Sequence, residues 1–372
     1  MPRLTPPSAA GGGEGGYCSQ LDGLRALAVT AVLITHLTLL WPQGGGYGVA
    51  LFFVLSGYLI TGILLRARTL VENGQSLWLT LRQFYARRCL RILPIVYGVL
   101  AVGCLLGDAE IRRLVWWHLA YLSNFVFAAT GFPQKTAHFW SLAVEEQFYL
   151  FWPLFILLCP RRWIAPALAG LIAASAGFRV VAPYAFGGPF PEVLTPSVTD
   201  ALCFGALLRI AETSSRLAKL VAWGGPFAAL VVLPHLFQFL PIGSPVAESL
   251  VLSCRGLALA WFVGLAARGN VPVLDRVLGA AAAVYIGRIS YGIYVYHPLF
   301  LALYDNYGAT PAGAWLHSLS RPWFVALASI AAASLSWHFF EAPINGLKRY
   351  FPYAAVRKPH ILTAPVPEPG SR

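Results

Sequence analysis

Charged residues are scarce in this sequence. Only 11% of its 372 residues are Asp, Glu, Lys or Arg, whereas soluble globular domains carry about 25%. A soluble fold is therefore excluded. A disordered chain is excluded as well, because 58% of the residues are hydrophobic and the mean hydropathy is +0.64. What is left is an all-α integral membrane protein, and the aromatic content of 14% suits rings at the two membrane interfaces.

Paired cysteines are also absent. The six cysteines stand singly, mostly within apolar runs, and no C-x-x-C pair occurs. We therefore expect them to pack as small hydrophobic residues rather than to bind metal or carry out redox chemistry. The formal net charge of +12 does not indicate nucleic acid in so apolar a chain, because basic residues concentrate in the cytoplasmic loops of membrane proteins.

Ten apolar segments are candidates to cross the roughly 30 Å of membrane hydrocarbon. The predicted spans are 24–41, 48–65, 91–107, 138–158, 164–182, 198–211, 220–237, 249–267, 283–304 and 322–341. The segment 114–130 is also apolar but contains His118, Asn124 and the pair Trp116–Trp117. We interpret it as an interfacial or re-entrant piece, so the sequence predicts about ten transmembrane helices.

The basic residues favour one orientation of these spans. With the N-terminus in the cytoplasm, most Lys and Arg residues fall in cytoplasmic segments, as the positive-inside rule requires. Both termini are then cytoplasmic. We expect a flexible N-terminal arm at 1–20 without a cleavable signal sequence, one transmembrane domain at 21–348 and a Pro-rich cytoplasmic tail at 349–372.

Ionisable residues inside spans are costly, so each is a candidate for function. In the first span Arg25 and His36 are almost three helical turns apart and share a face, with His36 in the outer half of the membrane. Glu145 in the fourth span is expected at about the same depth. The two predict a dyad in which the carboxylate orients the imidazole and the imidazole takes a proton from a hydroxyl. Two alternatives stay open. His36 is satisfied by a hydrogen bond between helices, or Glu145 and Glu146 both face a wet outer vestibule without a chemical role.

Further polar residues lie in or beside the spans. Ser141, Glu145 and Tyr149 are spaced i, i+4, i+8 and share a helix face. The step Ser56–Gly57 permits close approach to a helix or a ligand, and helix packing is the simpler interpretation. His297, late in the ninth span, is either a second histidine of a ligand site or a packed one. No metal-ligand spacing connects the histidines.

A basic run, Arg87-Arg88-Cys89-Leu90-Arg91, opens the third span on the predicted cytoplasmic side. Arg88 and Arg91 are three residues apart and face the same way. Three guanidiniums at the cytoplasmic end of one span are well suited to bind a phosphate group together. The alternative is ordinary anchoring on lipid headgroups.

Together these segments resemble the acyltransferase-3 family of membrane-bound acyltransferases, over about Leu21 to Lys348. Six motifs occur in the family's order: Arg25 with His36, Gly48–Gly57, Arg88 with Arg91, Trp140–Tyr149, Ile289–His297 and Phe340–Pro343. The resemblance implies an O-acyltransferase that moves an acyl group, most often acetyl, to a hydroxyl of a cell-surface sugar or another acceptor. Some members append a soluble hydrolase-like domain, which we expect this sequence to lack.

The resemblance also implies roles. His36 would be the general base or acyl carrier, and Glu145 its partner. The residues implied in binding acyl-CoA, the co-substrate, are Arg25, Arg87, Arg88, Arg91, Ser56 and Gly57. Candidates for contact with the acceptor or the oxyanion are Trp140, Ser141, Tyr149, Asn124 and His297. No permanently bound cofactor or metal is expected.

A transporter or flippase of an amphipathic substrate is the alternative function. Gly-interrupted apolar helices with intramembrane charges suit it as well. A transport function does not explain why the sequence has both the arginine cluster and the His36 and Glu145 pair at similar depth. The expected partners are acyl-CoA, a glycan, glycolipid or other hydroxyl acceptor, and the lipid of a bacterial inner membrane.

Overall fold

The computed structural model describes residues 18–38, 41–185, 189–236, 244–307, 310 and 320–353. These residues are helical almost throughout, and no strand occurs among them, which confirms the predicted all-α fold. The helices are α1 (Ser19–Leu37), α2 (Gly44–Glu72), α3 (Leu77–Leu105), α4 (Ala109–Leu119), α5 (Ser123–Thr130), α6 (Phe139–Leu158), α7 (Arg161–Ala185), α8 (Thr195–Ala211), α9 (Ser215–Leu236), α10 (Pro245–Arg268), α11 (Pro272–Leu278), α12 (Ala281–Ala302), α13 (Arg321–Ser336) and α14 (Ala342–Gly346). Most of the predicted N-terminal arm, up to residue 17, and most of the predicted tail, from residue 354, lie outside the described residues.

The long helices account for the predicted spans. Each of the ten predicted spans coincides with one of them. Within the described part of the chain, eight helices are long and apolar enough to cross a membrane, or nine if the bent pair α11 and α12 is one span. The 19-residue α1 is not among them, because Asp22 and Arg25 lower the hydropathy of its first turns. The chain is therefore a multi-pass membrane protein, and its orientation stays a prediction.

The segment 114–130 does not form one helix. Helices α4 and α5 have 11 and 8 residues, or about 17 and 12 Å at the helical rise, so neither alone crosses a membrane. Tyr121 lies between them with a φ of 53°, in the left-handed region. This agrees with the predicted interfacial or re-entrant piece.

Two carboxylates fasten the chain before α6 to the start of α4. The Asp108 carboxylate accepts from the Ile111 N–H at 3.0 Å, which caps α4, and pairs with Lys135. Burial raises the pKa of Asp108, but the hydrogen bonds from Lys135 and Ile111 outweigh it and hold that pKa below its usual value. Glu110 accepts from the backbone N–H groups of Lys135 and Thr136 at 2.8 and 3.0 Å. These contacts fix the direction in which the chain enters α6.

Helix α2 lies at the centre of the bundle. Within the most apolar 18 residues of α2, 67% of the residues are buried. The same fraction is 22% in α7, in α9 and in the helical segment that begins with α13. Its contact with α8 is close, because a Cβ added at Gly57 would lie 1.9 Å from the carbonyl oxygen of Leu202. A Cβ at Gly205 would lie 2.0 Å from the carbonyl oxygen of Val54. Glycine is therefore required where these two helices cross.

Helix α1 lies between α2 and α12. A Cβ at Gly287 of α12 would approach the carbonyl oxygen of Asp22 to 1.8 Å, and one at Gly48 of α2 would approach that of Ala28 to 2.5 Å. These contacts bring the residues of α1 within reach of those of α2 and α12. The candidate active site is built between these three helices, α3 and α6.

Candidate active site

A cavity of about 100 Å³ lies between α1, α2, α3, α6 and α12. We call it the arginine cavity. The predicted site residues that line it are Arg25, Ser56, Arg88, Arg91, Ser141, Glu145 and Tyr149. The prediction that Ser141, Glu145 and Tyr149 share a face is confirmed, since all three point into this space.

Two of the charged side chains in the arginine cavity, Arg25 and Glu145, have polar partners. Arg25 forms an ion pair with Asp22, one helical turn before it. Glu145 Oε1 accepts from Ser56 Oγ at 2.8 Å, and Ser56 Oγ accepts from the Tyr149 hydroxyl at 2.9 Å.

Arg88 and Arg91 differ from Arg25. Neither has an ion-pair partner among the described residues, and Arg88 lies over the ring of Phe84, 6.0 Å from its centroid. Two guanidiniums that lack a carboxylate partner among the described residues have the chemistry needed to bind an anion.

A second cavity, of about 410 Å³, contains histidines and is called here the histidine cavity. It is lined by His36 from α1, His297 from α12 and, just before α6, His138, with Trp140 beside them. His297 is fully buried, whereas His36 is exposed to the cavity. No group of three or more His, Cys, Asp or Glu side chains in the described part of the chain is arranged to hold a metal ion.

The hydrogen bonds of two histidines fix their tautomers. His297 Nδ1 lies 2.8 Å from the Tyr294 carbonyl oxygen, which can only accept, so Nδ1 carries the hydrogen. In a neutral ring Nε2 of His297 is then an acceptor. It lies 3.0 Å from His36 Nδ1, which must donate. These assignments follow from the network, and they leave Nε2 of His36 with a free lone pair.

The predicted His36–Glu145 dyad is wrong. His36 pairs with His297 in the histidine cavity, and Glu145 pairs with Ser56 in the arginine cavity. The reason lies in where the helices end. Helix α1 stops at Leu37, so His36 lies in its last turn. Glu145 lies six residues into α6, about 9 Å along the helix axis from its start.

The two cavities meet at a thin wall. Val49 and Tyr294 line both of them. The Tyr294 hydroxyl lies 2.6 Å from Ser141 Oγ, and its ring contacts Phe52 edge-on at 6.1 Å between centroids. Tyr294 and Val49 therefore separate the arginine cavity from the histidine cavity.

Three predicted site residues line neither cavity. Arg87 donates to the carbonyl oxygens of Lys348 and Phe351 at 3.1 and 3.2 Å, so it fastens the C-terminal segment. Gly57 packs against α8, as described above.

Asn124 belongs to a network that joins α5, α6 and α8. Its Nδ2 donates to Thr195 Oγ1 at 3.1 Å, and its Oδ1 accepts from Gln147 Nε2 at 3.0 Å. Its side chain is therefore engaged in helix packing and does not reach either cavity.

Sequence reasoning missed two residues of the site. Tyr294 lies three residues before His297, so helical spacing alone places both on one face. His138 directly precedes α6 and is 4% exposed, with its ring 5.6 Å from that of His297. No spacing signal links His138 to His36, because they come together only through the packing of α1, α6 and α12.

A family model described as an acyltransferase domain, that of the acyltransferase-3 family, matches residues 19–341. The chain belongs to the acyltransferase-3 family. This membership does not favour the transporter or flippase considered from the sequence.

Curated relatives of this family member carry O-acetyltransferase names. The chain is 33% identical to peptidoglycan O-acetyltransferase OatA of Listeria monocytogenes, over 90% of the chain and 57% of that protein. It is 30% identical to the Bacillus subtilis protein named "Putative peptidoglycan O-acetyltransferase YrhL", over 88% of the chain and 55% of that protein. The chain thus spans a little over half the length of these relatives. No solved structure matches it significantly.

Proposed function

We propose that the chain is a membrane O-acetyltransferase that moves an acetyl group from acetyl-CoA to a hydroxyl of a glycan acceptor. The observation that carries the proposal is the pair of cavities that meet at Val49 and Tyr294, one cationic and one holding a histidine with a free lone pair. Family membership and the names of the relatives support the acetyl group and the glycan.

The arginine cavity suits the donor. Acyl-CoA carries phosphates, and Arg88 and Arg91 offer guanidiniums without ion-pair partners among the described residues. Arg25 adds a third cation that is partly neutralised by Asp22. The donor enters from the cytoplasm of a bacterial inner membrane in this proposal, and its thin thioester arm passes the wall at Tyr294.

The histidine cavity suits the chemical step. Nε2 of His36 removes the proton of the acceptor hydroxyl while the hydroxyl oxygen attacks the thioester carbonyl carbon. The carbon–sulfur bond then breaks, and the thiolate takes the proton from the His36 imidazolium, which gives an ester and free CoA. In a second route Nε2 of His36 attacks the thioester carbonyl carbon, and the carbon–sulfur bond breaks to release the CoA thiolate. The acceptor hydroxyl then attacks the acetyl carbon, the carbon–nitrogen bond breaks, and the thiolate takes up the hydroxyl proton, which gives the same ester and free CoA.

His297 and Glu145 are positioning residues in this scheme. His297 holds His36 in the tautomer that presents Nε2 and stabilises the imidazolium through its own Nε2. Glu145 acts in the arginine cavity, where it fixes Ser56 and balances the surrounding cations. It contributes to donor binding rather than to the orientation of His36.

The test is acetyl transfer from labelled acetyl-CoA in membranes that contain the wild type, His36→Ala or His338→Ala at matched expression. Label is followed into protein and into extracted glycan and lipid. His338 is an exposed histidine outside both cavities and serves as the matched control. We expect the wild type and His338→Ala to transfer label and His36→Ala to lose about 10²- to 10⁴-fold in rate.

The distribution of the label separates the routes. Label trapped on the wild-type protein but not on His36→Ala indicates an acetyl-enzyme, and label found in acceptor alone indicates direct transfer. Equal transfer by the wild type and His36→Ala would contradict the role of His36. If the wild type consumes no acetyl-CoA in the presence of extracted glycan, the proposed function is wrong.

A further inference from the structure

A third cavity, of about 240 Å³, adjoins the histidine cavity and has no part in the transfer described above. It shares Gly46, Val49 and Trp140 with the histidine cavity, so the two are neighbours. Its other walls come from α2, α7, α8 and α10 and include Arg179 and Arg255. We call it the Arg255 pocket.

Arg179 is fully engaged in holding helices together. Its Nη2 donates to Asp200 Oδ2 at 2.8 Å and to Ser253 Oγ at 2.6 Å, and its Nη1 donates to the Ser197 carbonyl oxygen at 2.6 Å. The remaining hydrogen bonds of the guanidinium are donated to Ser249 of α10 and to a serine of α7. This buried network joins α7, α8 and α10 and leaves neither Arg179 nor Asp200 free for a ligand.

Arg255 stands in contrast to Arg179. Its Nε is buried without a hydrogen-bond partner, and its guanidinium has no ion pair among the described residues. The group lies over the ring of Tyr47, 5.4 Å from the centroid, and the Tyr47 hydroxyl is held by His235 Nδ1 at 3.2 Å. A buried cation without a direct ion-pair partner is unfavourable, so such a residue within a membrane protein indicates a site for an anionic ligand.

The guanidinium reaches the boundary with the histidine cavity. A Cβ added at Gly46 would lie 3.2 Å from Nη1 of Arg255, and Gly46 lines both spaces. Helix α10 thus places a cation at the boundary of the cavity that contains His36. An acceptor with one hydroxyl at His36 can direct another substituent towards Arg255.

Resting on the proposed function, we propose that the Arg255 pocket binds a carboxylate carried by the acceptor glycan. The planar fork of a guanidinium matches a carboxylate in a two-point contact. The exposed carboxylates Glu192 and Glu248 at the rim disfavour a doubly charged phosphate. Trp140 supplies an apolar wall for the sugar ring between the two cavities. The enzyme would then select acidic sugars over neutral ones.

The test is binding of methyl β-D-glucuronide and methyl β-D-glucoside to the purified full chain in detergent. The two probes share one ring and differ in a carboxylate against a hydroxymethyl group. Dissociation constants are measured by calorimetry for the wild type, Arg255→Gln, Arg255→Lys and Arg268→Gln. Arg268 is the matched control, because it is an exposed arginine in the last turn of the same helix.

The wild type and Arg268→Gln should bind the glucuronide about tenfold more tightly than the glucoside, as expected for one charge-assisted contact. Arg255→Gln should lose this preference, and Arg255→Lys should keep part of it, which also shows that the substituted site still folds. Equal binding of both probes by the wild type, or an unchanged preference in Arg255→Gln, would overturn the proposal.

A parallel assay of CoA release from acetyl-CoA by the wild type, in the presence of extracted glycan, keeps the two proposals apart. An Arg255-dependent preference without CoA release supports the pocket and contradicts the proposed function. CoA release with no Arg255-dependent preference supports the function and overturns the pocket.

Discussion

The arginine cavity and the histidine cavity share walls from α1, α2, α6 and α12 but differ in chemistry. The first holds three guanidiniums and the Glu145 carboxylate, which is bound to Ser56. The second holds imidazole and indole rings, and its hydrogen bonds end at a free nitrogen of His36. In the proposed function, fixed charge is thus kept on one side of Tyr294 and proton transfer takes place on the other. If the proposed function is right, donor binding and the transfer step are separable, and substitutions in one cavity should affect one of them without the other.

The largest effect confined to one cavity is expected from the double variant Arg88→Gln with Arg91→Gln, which changes the arginine cavity alone. Removing two charge-assisted contacts to phosphate should raise the KM for acetyl-CoA about 100-fold while kcat changes little. Steady-state kinetics in membranes measures both constants.

Arg82→Gln is the control for this double variant, since Arg82 is an exposed arginine on the same helix α3 and does not line the arginine cavity. A fall in kcat at unchanged KM in the double variant would break the comparison. It would mean that the arginines act on the transition state instead of on donor binding.

A smaller effect is expected on the other side of Tyr294, from His297→Leu. Without its partner, His36 loses the fixed tautomer, and kcat should fall about tenfold, as for other residues that orient a reacting group. His297→Gln should restore part of the rate, because an amide oxygen can still accept from His36 Nδ1. The KM for acetyl-CoA should stay unchanged in both variants.

The glutamine variant distinguishes positioning from packing. A purely structural His297 would give equal losses in His297→Leu and His297→Gln, or losses that follow the unfolding temperature instead of the hydrogen bond. Either result would contradict the relay from the Tyr294 carbonyl oxygen to His36.

The sequence predicted the arginine cavity better than the histidine cavity, and the reason is physical. Arg88 and Arg91 lie on one helix, as do Ser141, Glu145 and Tyr149, so helical spacing alone puts each set on a common face. The ten apolar runs are likewise local, and all of them coincide with long helices.

The partner of His36 depends on non-local contacts. The Thr35 hydroxyl donates to the Trp41 carbonyl oxygen at 2.9 Å and accepts from the Gly45 N–H at 2.5 Å, so residues 41–45 lie against the last turn of α1 and do not extend that helix. A hydropathy pattern extends the span to residue 41 and places His36 deeper than it lies. The contact with His297 then follows from the packing of α1 on α12, which no single segment of sequence encodes.

The smallest effect is expected at Gly57. This residue lines neither cavity, but it lies on α2, which lines both. Gly57→Ala adds a Cβ that would lie 1.9 Å from the Leu202 carbonyl oxygen, so α2 and α8 must separate. Overpacking of this kind costs about 1–3 kcal/mol, and the unfolding midpoint in detergent should fall by several degrees, about 2–8 °C for such a change. Because α2 lines both cavities, donor binding and transfer should weaken together.

Gly170→Ala is the control for this last change, because a Cβ at Gly170 of α7 meets nothing within 4 Å. Its midpoint should stay the same or rise slightly, since alanine favours a helix by up to about 1 kcal/mol over glycine. The two glycines also separate packing from ligand binding. If Gly57 contacted acyl-CoA, as the family resemblance implied, Gly57→Ala would raise the KM for acetyl-CoA at an unchanged midpoint. A lowered midpoint with parallel losses in both cavities places Gly57 in the crossing of α2 and α8.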